Sequence, residues 1–226
     1  MSAGLSSMLF RRITFALAVI LACQAIWLLI AELCRPSYPG FPVDAKTAEL
    51  VAGKRNAAAL AASFGFMRGD LWTEYSLTYL NLFWNGGQGG TKQNSGVLER
   101  ARDVAVRALA LAPHDARGWL ALSTVNFELN GDKKSTALLM SYFTGANEIE
   151  LIPMRLLLAV RSDTIGEKDF QLLVRHDIRA IITYKPELKS AIVAAYRDAL
   201  PVGKQFLEDV LKELDPSLLT KLHQSG

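Results

Sequence analysis

From Ile13 to Ala31 the chain reads ITFALAVILACQAIWLLIA, nineteen residues without a charge and with only Thr14 and Gln24 clearly polar. As a helix this run is ~28 Å long, close to the hydrocarbon thickness of a bilayer. Arg11 and Arg12 stand immediately before it, and Glu32, Cys34 and Arg35 close it. Core helices of soluble proteins rarely stay uncharged for so long, so residues 13–33 are expected to cross a lipid bilayer. A cleaved signal peptide would have a shorter apolar stretch followed by small residues. Here the apolar run continues through Trp27, Leu28 and Leu29. The tetrapeptide Ile20-Leu21-Ala22-Cys23 loosely matches a lipoprotein cleavage motif, but Leu21 is bulky for its position and further apolar sequence follows Cys23. The expectation is therefore an uncleaved signal anchor behind an N-terminal tail, residues 1–12. Arg35 and Lys46 nearly balance Arg11 and Arg12, so the basic flanks set no firm orientation. A short tail most simply stays in the cytoplasm, which places the larger part of the chain on the outer side of the membrane.

Three prolines at 36, 39 and 42 make residues 34–42 an expected semi-rigid spacer, because proline cannot continue a helix and extends the residue before it. Beyond it, residues 43–226 carry helical periodicity broken by short polar punctuation, and no run of alternating β-branched residues. Helices are expected at 44–64 with Asp44 as N-cap, from Gly69-Asp70 to Trp84, and at 97–112, 116–130, 133–144, 148–162, 168–184, 186–199, 202–214 and 216–223. Asn147 and Glu150 have capping-box spacing, and Pro153 either kinks the helix that follows or marks its start near residue 152. The fold class is all-α: a transmembrane helix followed by a helical domain.

Within that domain, residues 98–115 read LERARDVAVRALALAPHD, with Ala101 and Ala108 seven apart and Pro113 five further on. The following stretch carries Trp119, Leu122 and small Ser123. These residues resemble the second helix of one tetratricopeptide repeat and the first helix of the next. In that family small residues admit large ones across closely packed antiparallel helices, and proline ends the unit. The likeness departs at Ser135, where the family favours alanine, at Asn126, where it favours an aromatic, and at the turn Gly131-Asp132, which comes one residue late. The resemblance implies stacked helical hairpins and a surface for protein partners. The chain, including RGDLW at 68–72 and SYFTGANEIELIP at 141–153, is also similar to membrane-anchored proteins of alphaproteobacteria.

Residues bearing chemistry are sparse. His114, His176 and His223 have no metal-ligand partner at helical spacing, apart from the adjacent Asp177, which leaves the helix in another direction. The glycine-rich stretch 85–96 lacks the lysine and hydroxyl of a phosphate loop, and is expected to be a flexible connector. Glu148/Glu150 and Asp209/Glu213 are the nearest paired carboxylates, explained by capping and by a solvated face. No catalytic residue, cofactor or metal is assigned. Two stripes remain. Trp72, Tyr75, Tyr79 and Phe83 recur at i, i+3, i+7 and i+11, which suits core packing better than a ligand platform. Lys168, Gln171, Arg175 and Arg179 form a polar stripe opposite Phe170, Val174, Ile178 and Ile181, either a solvated face or a site for an anionic partner.

The formal charge of +3 adds little. Three arginines and one glutamate lie in residues 1–35, leaving 22 basic against 21 acidic residues for the rest. That balance gives no electrostatic footprint for nucleic acid. Two cysteines exclude a disulfide framework. The functional expectation is a membrane-anchored scaffold for protein partners of the bacterial envelope, held in the inner membrane through residues 13–33. The alternative is an enzyme or accessory subunit of envelope polysaccharide assembly whose site forms only on folding.

Overall fold

The computed structural model describes residues 2–36, 40–41, 45–85, 92–131 and 136–225. Among these there is no β-strand, and twelve α-helices account for most of the chain. The first is α1 (Ser2–Leu33), whose segment Phe10–Leu33 is 24 residues long and apolar enough to cross a membrane. Then come α2 (Ala45–Gly53), α3 (Arg55–Phe64), α4 (Gly69–Asn85), α5 (Lys92–Leu111), α6 (Ala116–Asn130) and α7 (Thr136–Thr144). The remainder comprises α8 (Ile152–Val160), α9 (Lys168–Tyr184), α10 (Lys189–Asp198), α11 (Pro201–Leu214) and α12 (Pro216–Ser225).

Helices α4 to α7 form an antiparallel series. Gly69 opens α4 against the end of α5, so closely that a Cβ there would lie 2.4 Å from the Ala112 Cβ and 2.8 Å from the Ala108 carbonyl oxygen. Ser76 Oγ donates to the Ala101 carbonyl across the same pair at 2.8 Å. The short turn to α6 is fixed at both ends. Asp115 caps α6 by accepting from the Arg117 backbone N–H at 3.0 Å, and the Trp119 indole N–H donates to the Pro113 carbonyl at 2.7 Å. Gly131 ends α6 in the left-handed region, φ 60°, where a missing Cβ removes the steric cost.

The C-terminal helices surround α8. Leu156, Ala159 and Val160 are buried among Val174, Ile178 and Ile181 of α9, Ile192 and Ala195 of α10, and Phe206, Leu207 and Val210 of α11. Gly203 lets α11 touch the end of α8: a Cβ on it would fall 2.2 Å from the Val160 carbonyl oxygen. The same oxygen accepts from the Leu200 backbone N–H at 3.1 Å.

Several expected boundaries shift for physical reasons. The helix expected at 44–64 breaks at Lys54, so that α2 and α3 pack separately on α4; Asp44 lies outside the described residues. Helix α5 starts at Lys92, five residues before Val97, and takes Gly96 into its first turns. The capping box at Asn147 and Glu150 does not form. A 3-10 turn occupies Ile149–Leu151 without a side-chain cap, and α8 begins at Ile152 with proline in its first turn, where the missing N–H costs nothing. Pro186 likewise opens a 3-10 turn before α10.

The end of α1 packs directly against α3 and α4. Ala31 is fully buried and Cys34 packs beside it against Ala61, Ala62, Leu71 and Trp72. Arg35 forms an ion pair with buried Glu74 and bonds Glu32 at 3.0 Å. Arg68 bonds Glu32 at 2.9 Å and Asp70 at 2.7 Å. Residues 37–39 and 42 of the expected spacer lie outside the described residues.

Candidate functional site

The aromatic stripe of α4 divides. Phe83 is buried with Leu77, Leu80, Leu98 and Ala101 and belongs to the core. Trp72, Tyr75 and Tyr79 instead line one side of a cleft of about 410 Å³, and Arg100, Asp103, Val104 and Arg107 of α5 line the other. Both sets recur at helical spacing, so the antiparallel pairing of α4 and α5 brings one stripe against the other. Arg55 of α3 lies over the Tyr79 ring, its guanidinium carbon 5.6 Å from the ring centre.

The rings are fixed by one another. Tyr75 and Tyr79 have centroids 5.2 Å apart and share a hydrogen bond of 2.8 Å between their hydroxyls. Trp72 meets Tyr75 at 6.3 Å, and its indole N–H donates to the Phe66 carbonyl at 3.2 Å. The Arg107 guanidinium stacks 3.8 Å above the Trp72 ring. Such stacking favours the cation while leaving its in-plane N–H donors free to grip a carboxylate. Burial, followed by the bond to Tyr79, pushes the Tyr75 hydroxyl up to about 12. It therefore stays protonated at neutral pH and can donate.

Among the described residues Arg55, Arg100 and Arg107 have no carboxylate partner within ion-pair distance, and Asp103 is the only acid lining the cleft. Arg102, Arg179 and Arg197 likewise show no ion pair among these residues, whereas Arg35 and Arg68 are engaged as above, Arg161 pairs with Glu128 at 3.7 Å, and Arg155 is bonded in the interior. The fully buried Arg155 donates to the Gly145 carbonyl at 2.9 Å and to Ser141 Oγ at 3.0 Å, closing the end of α7. The cleft can thus recognise an anionic group by paired hydrogen bonds and a planar or apolar one by ring contact. It offers no nucleophile with an adjacent base.

The expected site residues fall as follows. Ala101 and Ala108 are buried against α4 and admit Leu77, Leu80, Leu71 and Trp72. Pro113 is exposed in the turn held by Trp119, while Leu122 is only half-buried, its neighbours Leu120, Ala121 and Val125 facing the core. The stripe on α9 is partly consumed by the fold. Arg175 pairs with Glu213 of α11, and Gln171 Nε2 donates to the Ile165 carbonyl at 2.9 Å. Lys168 and Arg179 remain exposed at opposite ends of it. His176 is exposed while Asp177 points inward; the His223 side chain lies outside the described residues. His114 lines a second cleft, about 490 Å³, with Asp70, Asp115, Arg117 and Glu148. Of these, Asp70 is held by Arg68, and Asp115 by its cap and by Arg117. No group of three potential metal ligands comes together among the described residues.

The sequence signal for the cleft is the spacing of Arg100, Asp103 and Arg107 at i, i+3 and i+7 in α5, interleaved with the alanines that pack on α4. No protein-family model matches this chain, and neither does any curated protein or solved structure.

Proposed function

We propose that the chain is a single-pass, membrane-anchored helical scaffold that captures an acidic segment of a protein partner in the cleft between α4 and α5. The carrying observation is the set of three guanidinium groups, Arg55, Arg100 and Arg107, without carboxylate partners around an aromatic floor that ends in two hydroxyls. Charge-assisted bonds to a Glu or Asp side chain would supply affinity, and the rings would pack the intervening apolar side chains. Support for the anchor is the length and apolarity of Phe10–Leu33. Support for a tetratricopeptide-like stack is the antiparallel order of α4 to α7, with Ala101 and Ala108 at the contacts. On this reading residues 1–12 stay in the cytoplasm and the helical domain stands in the periplasm of a bacterial inner membrane. An envelope polysaccharide enzyme would instead use the cleft at His114, where two of the three carboxylates are already occupied by arginines.

The test is charge reversal, Arg100→Glu with Arg107→Glu, in the full chain purified from membranes in mild detergent. Each lost charge-assisted contact is worth about 1.5–3 kcal/mol, so affinity for a fluorescent glutamate-rich peptide should fall more than tenfold. Unchanged peptide affinity and unchanged recovery of co-purifying proteins would remove the cleft from consideration.

A further inference from the structure

The largest apolar side chains left uncovered next to α1 gather at one place, the corner between α3 and α4. Phe64 is 40% exposed, Phe66 50% and Met67 72%, with Leu60 one turn earlier at 52%. Four prominent apolar groups within residues 60–67 are an unusual thing to leave in water. Their height relative to α1 is fixed. The Trp27 indole N–H donates to the Phe64 carbonyl, and the Trp27 ring meets Phe66 edge-on with centroids 6.2 Å apart. Trp27 lies six residues before Leu33, the end of the apolar span, which is ~9 Å along the helix axis. Above the corner stands a charged layer, Arg68 bonded to Glu32 and Asp70, with Arg35 bonded to Glu32. Descending from that layer, the corner and the α1 residues Cys23, Gln24, Trp27 and Leu28 enclose an open, mainly apolar cleft of about 370 Å³.

We propose that this corner is a wedge in the membrane interface: Phe64, Phe66 and Met67 enter the leaflet beside α1, and the cleft between them receives a lipid acyl chain. The inference rests on the reading of α1 as a bilayer-spanning helix. Continuity selects lipid as the occupant, because the corner lies level with a part of α1 that would itself be immersed. A tryptophan at that level, with its N–H bonded and its ring apolar, suits the boundary between headgroups and chains. The charged layer of Glu32, Arg35, Arg68 and Asp70 then falls at the headgroups. The domain would be held to the leaflet at two points, α1 and the corner, which fixes its tilt as well as its attachment.

The experiment uses the full chain with Cys23→Ser and Cys34→Ala, reconstituted into phosphatidylcholine vesicles containing lipid brominated near the top of its acyl chains. An environment-sensitive fluorophore is attached to one introduced cysteine at a time: Met67→Cys, Leu17→Cys within the span, or Leu172→Cys on α9. Met67 is exposed, so its replacement leaves the core intact. The expected result is bromine quenching and a blue-shifted emission at positions 67 and 17, with neither at 172. Quenching at 17 with none at 67 would overturn the wedge and leave the anchor standing. Absence of quenching at both would overturn the anchor, and the wedge with it.

Discussion

Gly203→Ala is a one-carbon perturbation with a sign that the fold dictates. An alanine Cβ at 203 would sit 2.2 Å from the Val160 carbonyl oxygen, 3.0 Å from its carbon and 3.1 Å from its Cα. All three are backbone atoms, so no side chain can rotate away; α8 and α11 must separate. That separation would also stretch the Leu200 N–H to Val160 bond, now 3.1 Å, and open the cluster around Leu156 and Phe206. Overpacking of this kind costs about 1–3 kcal/mol, and more where backbone must move. Alanine returns up to ~1 kcal/mol of helix propensity, so the net loss should be about 1–2 kcal/mol. The internal control is Gly96→Ala in the first turns of α5, where a Cβ meets nothing within 4 Å. There the propensity gain stands alone, and stability should rise by about 0.5–1 kcal/mol. Urea unfolding of the full chain in detergent, followed by far-UV circular dichroism, reads both. A Gly203→Ala protein as stable as its parent would mean that α8 and α11 do not touch there. A destabilised Gly96→Ala protein would mean that α5 does not begin at Lys92.

Asp177 is buried beside Arg155 and Tyr142, and burial pushes its carboxyl up to about 7 from an ordinary 3.8. The folded state then holds this proton more tightly than the unfolded state, so stability should fall between about pH 4 and pH 7 and level off above. Asp177→Asn should abolish that slope and gain about 1–3 kcal/mol at pH 8, the loss of attraction to Arg155 offsetting part of the gain; equal pH profiles for the two proteins would sink the assignment. Glu74 has one close partner, Arg35, and a second guanidinium, that of Arg117, at 3.9 Å. Burial holds the Glu74 carboxyl above its ordinary range despite these partners, so Glu74→Gln should change global stability little while freeing the end of α1 from α4, seen as faster protease cleavage after Arg35; unaltered cleavage would place the docking of α1 in its apolar contacts alone.

The helices were legible where capping residues and periodicity agreed. The span expected for α9, 168–184, and that for α6, 116–130, match the structure at both ends, the latter because Asp115 and Gly131 act as caps. They failed where the signal was compositional. The alanine-rich stretch 44–64 has strong helix formers throughout, and its break at Lys54 follows from packing two short helices on α4. Gly96 reads as a loop residue, yet the tertiary contact of α5 with α4 carries the helix through it. The cleft was half visible: the aromatic spacing of α4 was plain, whereas the matching arginines of α5 gain meaning only once the pairing of the two helices is known. The corner was not visible at all, because Phe64, Phe66 and Met67 resemble ordinary core residues until their exposure and the bond to Trp27 are seen.

Trp72 ties these features into one mechanical unit. Its ring supports Arg107 at the cleft, its N–H holds the Phe66 carbonyl at the corner, and its buried edge packs with Ala31 and Cys34 at the end of α1. A load applied at the cleft is therefore passed to α1 through packed side chains and the ion pair of Arg35 with Glu74, not through the proline-containing segment that follows it in sequence. On the proposed reading, a partner bound at Arg100 and Arg107 sits at a set distance from the bilayer surface. A flexible tether would raise only the local concentration of such a partner, while a docked anchor also restricts its orientation. That distinction has a consequence for affinity. Lengthening the segment after Arg35 should leave capture nearly unchanged as long as α1 stays docked, whereas breaking the docking at Glu74 should weaken capture of a membrane-bound partner and spare that of a soluble acidic peptide.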